Sequence, residues 1–261
     1  MPTPHPATLS RRPCHIVVIE HEATCPLDRL AYWLDGADVE MVRPYAGDEV
    51  PESVEGGGLI VLGGQMSAYD DRVAPWLSAV RELLATSVTT GVPTLGICLG
   101  AQLLAVACGG RVDVRAAPGR EAGVVDLRWR PEAASDPLVR ALPRPSAGPS
   151  MHADAVVELP AESTWLAYSD MYPHQAFRVG AAAWGVQFHP EVSLPTFRGW
   201  ATRAADVDDA HVELVTKEFL ARDGDIVATG RALAGGFAAL VGAATVDPPA
   251  DRIGDGEEPR R

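Results

Sequence analysis

Between Val92 and Val106 two apolar stretches are joined by Gly96, Ile97, Cys98, Leu99 and Gly100. A short apolar run that meets a turn signal and continues into a longer apolar run reads as a buried strand feeding a buried helix. Small residues on both sides let the chain bend sharply and pack closely there. A nucleophile placed at such a turn stands clear of the backbone. This junction constrains the fold strongly, because a strand-to-helix turn of this kind belongs to a layered α/β architecture with its site at the carboxyl ends of the strands.

The same alternation runs through the first half of the chain. Cys14 to Glu20 reads as a buried strand, Leu27 to Leu34 as a helix ended by Asp35 and Gly36, and Val39 to Val42 and Gly58 to Leu62 as further strands. Pro75 to Ser87 carries Trp76, Val80, Leu83 and Leu84 at helical spacing, Thr94 to Ile97 is the fourth strand, and Leu99 to Cys108 is the helix that follows it. These elements imply a mostly parallel central sheet with helices on both faces. From Arg111 to Trp184 the pattern shifts to short β-like runs separated by Pro- and Gly-bearing turns: Val124 to Trp129, Val156 to Leu159, Thr164 to Tyr168, Ala176 to Val179 and Ala182 to Gln187. They read as an antiparallel section added to the main sheet, with Pro143 to Pro149 as a surface loop. Thr196 to Ala204, His211 to Ala221 and Ile226 to Val241 read as helices. Residues 1–13 read as a flexible tail, 14–246 as one domain and 247–261 as a disordered tail.

About ninety residues after the cysteine turn comes Gly185, Val186, Gln187, Phe188, His189, Pro190, Glu191. It supplies a histidine and, two residues on, a carboxylate, so that Cys98, His189 and Glu191 are the parts of a Cys-His-carboxylate nucleophilic site. At a helix start the exposed amides favour a thiolate. His189 would stabilise that thiolate and pass a proton to a leaving amine, and Glu191 would hold the imidazole in one tautomer. The Leu99 amide is one oxyanion donor; the buried run Leu59 to Leu62, which ends in Gly63 and Gly64 before Gln65, is suited to give the second. A lone cysteine on an apolar element is more often a small core residue, and Cys14, Cys25 and Cys108 read that way. Trp129, Trp165, Trp184 and Trp200 read as packing aromatics. Met171, Tyr172 and His174 read as a surface turn.

Gly96 to Gln102, the upstream Leu62 to Gly64, and Gly185 to Glu191 together resemble the motifs of class I, triad-type glutamine amidotransferases, in particular stand-alone proteins similar to the amidotransferase domain of GMP synthase. Gln175 to Gly180 resembles that subgroup as well. The resemblance runs from about Ile16 to Trp200. It implies a flavodoxin-like class I amidotransferase fold and hydrolysis of the glutamine side-chain amide, with Cys98 as nucleophile and His189 and Glu191 completing the triad. It further implies that the Gly64 and Leu99 amides form the oxyanion hole. Gln102 would help hold the substrate, and the backbone of the segment from Met151 through Ala153 to Asp154 would contact its amino acid end. Where such proteins usually have proline after the two glycines, this chain has Gln65. The resemblance leaves two activities open, a glutaminase that passes ammonia to a synthetase or other acceptor enzyme on another chain, and a hydrolase of γ-glutamyl amides or peptides. A silent binding protein on the same fold is the third reading, against which the complete Cys98, His189, Glu191 set argues.

The net charge of −13 over 261 residues argues against a nucleic-acid or anionic-membrane partner. No run approaches about 20 unbroken apolar residues, so no membrane span is expected. Cysteines at 14, 25, 98 and 108 show neither zinc nor redox spacing, and the need for a free thiol points to a reducing cytoplasm. No Lys-bearing glycine-rich phosphate loop is present, and His152 with Asp154 lacks further ligands nearby; no cofactor and no metal are expected.

Overall fold

Leucine- and valine-rich runs bounded by Gly, Pro and Asp set the element order. The computed structural model describes residues 14–244 and contains, in chain order, β1 (His15–Ile19), α1 (Leu30–Trp33), β2 (Asp38–Val42), β3 (Gly57–Val61), α2 (Leu77–Thr90), β4 (Thr94–Ile97), α3 (Leu99–Ala107), β5 (Arg111–Asp113), β6 (Glu121–Trp129), β7 (Ser146–His152), β8 (Ala155–Glu158), β9 (Ser163–Tyr168), β10 (Ala176–Val179), β11 (Ala183–Val186), α4 (Leu194–Arg203) and α5 (Asp209–Ala244). The two tails read from the sequence lie outside the described residues.

The main sheet has nine strands in the order β2-β1-β3-β4-β11-β10-β9-β6-β7. The first five pair in parallel and the remainder antiparallel. β3 and β4 are buried along their whole length, which is why they read as unbroken apolar runs rather than alternating ones. Helices cover both faces. α2 and α3 pack Leu83, Leu84, Leu103 and Leu104 against Leu59 and Val61 of β3. On the other face α1 and α5 bring Leu30, Leu233 and Phe237 against Ile60, Leu95 and Ile97.

Several expectations change here. The stretch read as a loop, Pro143 to Pro149, runs into β7, whose residues Ser146 to Ser150 are buried and whose register pairs Leu127 with Ser146 and Glu121 with His152. Proline misleads because β7 is the last strand of the sheet, where a missing N–H is tolerated. The run Val156 to Leu159 belongs not to the main sheet but to a separate pair of β5 with β8. Ala183–Val186, read among the antiparallel strands, is the joint: parallel to β4 on one side and antiparallel to β10 on the other. The two helices read after residue 210 are one, α5, which passes through Gly224 without a break; an interior glycine costs a helix only about 1 kcal/mol, and packing outweighs it. By length and hydropathy α5 could cross a bilayer. Its buried residues, among them Phe219, Ile226, Leu233 and Phe237, line the core. The helix read from Leu27 shortens to α1, because Asp28 takes a φ of +44° and cannot be part of a regular turn.

Strands β3, β4 and β11 lie side by side and parallel. Their carboxyl ends therefore deliver Gly64, Cys98 and His189 to one edge of the sheet, where sites of open α/β sheets form.

Candidate active site

Cys98 occupies the one-residue turn between β4 and α3. Its backbone sits at φ +50° and ψ −104°, a conformation that a residue with a side chain rarely adopts and that surrounding structure must hold. Two bonds do so: the Cys98 amide donates to Val186 O at 2.8 Å, and its carbonyl accepts the Gln102 amide at 3.0 Å. Gly100 lets α3 lie directly on β3, since a Cβ there would strike the Val61 carbonyl. Cys98 is 6% exposed.

His189 is buried beside it, and its Nδ1 lies 2.7 Å from Glu191 Oε1. Cys98 and His189 line the same cavity. Burial works against a charged ring, but the negative charge of the hydrogen-bonded Glu191, with Cys98 beside it, outweighs burial and pushes the His189 pKa up to about 10. The other Glu191 oxygen has no hydrogen-bond partner, so among the described residues His189 is the only group its carboxylate bonds. The loop itself is pinned at several points. His189 N–H donates to Pro149 O at 2.7 Å, Arg29 N–H donates to Glu191 O at 3.0 Å, and Ser193 N–H donates to Asp28 Oδ2 at 2.8 Å. Gly230 of α5 faces the Pro190 carbonyl with no room for a Cβ.

Gly63 lies beside both Cys98 and His189: a Cβ there would sit 3.1 Å from His189 Cε1 and 3.6 Å from Cys98 Cβ. Gly64 abuts Leu99, with 2.9 Å from an ideal Cβ to Leu99 Cδ2. The Gly64 amide has no acceptor among the described residues, and the Leu99 amide, first of α3, has none within its helix. Gly64, Cys98, Gln102, Met151, Ala153 and His189 all line one cavity of about 420 Å³. Leu99 and Glu191 do not line it.

Gln102 is buried, and its Nε2 donates to Asp154 O at 2.9 Å and to Gln187 Oε1 at 3.3 Å. It thereby ties α3 to the segment 151–154. His152 is held by the Asp154 carbonyl at 2.9 Å and by Glu121 Oε2 at 3.1 Å. Tyr172, read as part of a surface turn, is instead buried and packs on the His152 ring at 4.9 Å between centroids. Cys25 lines the same cavity as Cys98, but burial and the Glu22 carboxylate raise its pKa far above that of an ordinary thiol.

A family model for class I glutamine amidotransferases matches residues 31–200. The chain belongs to this family. The amidotransferase is 34% identical over 154 residues to the glutamine-hydrolysing GMP synthase of Porphyromonas gingivalis, an alignment covering 58% of this chain and 28% of that one. It is 32% identical over 182 residues to one subunit of the glutamine-hydrolysing GMP synthase of Halobacterium salinarum, covering 69% of this chain and 90% of that one. Its fold matches a glutamine amidotransferase of Thermotoga maritima with a TM-score of 0.74 at 24% identity, over 86% of this chain and 98% of the other.

Around the amidotransferase's cavity stand residues that sequence reasoning passed over. Gln187 Nε2 lies 3.5 Å from Cys98 Sγ. Its signal was the period of two, since Gln187 precedes His189 as His189 precedes Glu191. Trp200, read as packing alone, lies against His189 with 4.5 Å between ring centroids. Glu121 is buried and accepts from Ser150 at 2.8 Å, Ser169 at 2.5 Å and Gln175 at 2.6 Å as well as contacting His152. Burial opposes ionisation of Glu121, yet His152, Ser169 and Ser150 together hold its carboxyl below the usual carboxylate range.

Proposed function

We propose that the chain hydrolyses the side-chain amide of glutamine through a γ-glutamyl thioester on Cys98. The observation that carries this reading is the buried imidazole of His189, 2.7 Å from Glu191 and sharing one cavity with Cys98, which stands at a strained strand-to-helix turn. Cys98 Sγ attacks the amide carbon, and the oxygen becomes an oxyanion held by the Gly64 and Leu99 amides. The C–N bond then breaks as His189, charged at neutral pH, gives its proton to the departing ammonia. Water attacks the thioester, His189 takes its proton, and glutamate leaves with the thiol restored. Gln102 and the backbone of 151–154 bind the amino acid end of the substrate. Glu191 keeps the imidazole oriented and stabilises its charge.

The likeness to a protein named as one subunit of GMP synthase supports delivery of the ammonia to a synthetase on another chain. A second reading, hydrolysis of larger γ-glutamyl amides or peptides, is favoured by one observation. The cavity is also lined by Arg120, Arg203 and Ala205, and its volume of about 420 Å³ leaves room for a group larger than ammonia. The experiment is an assay of the purified protein against glutamine and a set of γ-glutamyl amides, with glutamate, ammonia and amine release measured together. Glutamine turnover supports the first reading. Fast release of a bulky amine with little ammonia from glutamine supports the second, and no turnover of any of them overturns both.

A further inference from the structure

The loop that carries Gly64 is nearly free of backbone hydrogen bonds. The Leu62 amide is fixed to Ile19 O at 3.0 Å, and the Ser67 amide to Asp70 Oδ2 at 2.8 Å. Between them, among the described residues, one backbone N–H has an acceptor: Gln65 N–H donates to Glu22 Oε1 at 2.9 Å. Two consecutive glycines precede it, and glycine peptide planes rotate at little steric cost. The bond to Glu22 thus fixes the Gly64–Gln65 peptide, which adjoins the Gly63–Gly64 peptide that carries the Gly64 N–H.

Glu22 itself is firmly mounted. Its carboxylate also accepts the Cys25 thiol at 3.2 Å, and its carbonyl accepts the Cys25 amide at 3.1 Å, which closes the turn 22–25. From the far side the indole of Trp200 donates to Thr24 O at 2.6 Å while the same indole packs on His189. The turn is therefore anchored to the wall that positions the imidazole. The Gln65 side chain adds a longer contact to Thr24 Oγ1 at 3.4 Å.

We infer that Glu22 is a positioning residue: by accepting the Gln65 amide it holds the Gly64 loop in register with Cys98. A proline at 65 has no N–H to offer, so this device depends on the glutamine that stands there. The inference rests on the reading of Cys98 as an amide-cleaving nucleophile with Gly64 as oxyanion donor. Losing such a donor outright typically costs about 100- to 1,000-fold in rate, and losing its anchor costs part of that.

The test compares Glu22→Ala with Glu22→Gln, which keeps an acceptor oxygen, on the full chain. Three readouts are taken: turnover of the amide that the unaltered protein cleaves, labelling of Cys98 by a glutamine-shaped chloromethyl ketone, and labelling by iodoacetamide. Ketone labelling develops an oxyanion; displacement on iodoacetamide does not. Glu22→Ala should lower kcat about ten-fold or more, with KM within about two-fold, and slow ketone labelling while leaving iodoacetamide labelling unchanged. Glu22→Gln should recover most of both losses, and in a Gln65→Pro background Glu22→Ala should have no further effect. Wild-type kcat in Glu22→Ala would overturn the inference. So would an equal loss in Glu22→Gln, or iodoacetamide labelling that falls in step, because the carboxylate would then act on the fold or on the thiol. An unaltered protein that neither cleaves amides nor takes the ketone would instead refute the underlying reading of Cys98.

Discussion

The indole of Trp200 lies against the imidazole of His189, with 4.5 Å between ring centroids and 55° between planes. Trp200 comes from α4, eleven residues after His189, and its N–H is fixed to Thr24 O. The two neighbours of the imidazole divide its restraint: Glu191 holds the ring in its own plane, and Trp200 limits its tilt. Misplacing a reacting group by about 1 Å can cost on the order of 100-fold. Trp200→Ala should lower kcat about 10- to 100-fold and destabilise the fold by about 3–5 kcal/mol, as large-to-small core changes do. Trp200→Phe keeps a ring over His189 and should stay within a few-fold of the parent. Steady-state kinetics with thermal unfolding of both variants checks this; equal kcat in all three proteins would show that the ring contact is irrelevant to rate.

Cys98→Ala should abolish turnover without unfolding the chain, because the fold asks of this position only a small side chain at a strained turn. Cys14→Ala, Cys25→Ala and Cys108→Ala should keep most activity. A glutamine-like electrophile should place its label on Cys98, as peptide mapping can show. Cys25 shares the cavity, yet burial and Glu22 keep its thiol protonated, so labelling chiefly there would contradict the assignment.

His189→Ala should lose nearly as much activity as Cys98→Ala, and the double variant should lose no more, since the two act as a unit. Glu191→Gln should lose less, because it can still hydrogen-bond the ring. The pH dependence follows from the raised pKa of about 10 at His189. In the proposed mechanism the imidazolium is the acid that meets the leaving ammonia; it is present through the neutral range and is lost as pH rises through that value. The kcat/KM should hold to about pH 9 and fall above it, and Glu191→Gln should move the fall to lower pH by removing the negative charge that supports the ring. An unshifted alkaline limb in Glu191→Gln would mean that another group titrates there.

The parallel half of the fold and the three groups Cys98, His189 and Glu191 were legible because each announces itself locally. An apolar run ends in glycine, or a histidine and a carboxylate follow a strand, and no distant contact is needed to see it. What was illegible depends on partners far along the chain. β7 was hidden by prolines that only an edge strand tolerates, and its place at the edge is a property of the whole sheet. Yet its Pro149 carbonyl is what holds the His189 amide. The continuity of α5 across Gly224 is likewise decided by the core beneath it. Glu121 looked like one acidic residue among many, since its donors Ser150, His152, Ser169 and Gln175 come from 29 to 54 residues away.

That cluster makes the final prediction. Glu121 supports His152, and His152 in turn bonds the Asp154 carbonyl, so the carboxylate underlies the segment 151–154 on the cavity wall. Its carboxyl is held below the ordinary value of 4.5 in the folded protein. A group depressed on folding contributes stability that is present above its unfolded pKa and lost as pH falls through its folded one. Glu121→Gln should therefore be less stable than the parent by about 3 kcal/mol at neutral pH, the cost of breaking a buried charged network. The gap should narrow as pH drops below about 4.5, where the parent's own carboxyl takes up its proton. Because the loosened segment would bind the substrate's amino acid end, the same variant should raise KM more than it lowers kcat, whereas Trp200→Ala does the reverse. Denaturant unfolding between pH 3 and 7, approximate limits chosen to bracket the carboxylate range, together with steady-state kinetics at neutral pH, tests both halves. A stability gap that stays constant across that range would show that Glu121 is not the ionised hub of the cluster.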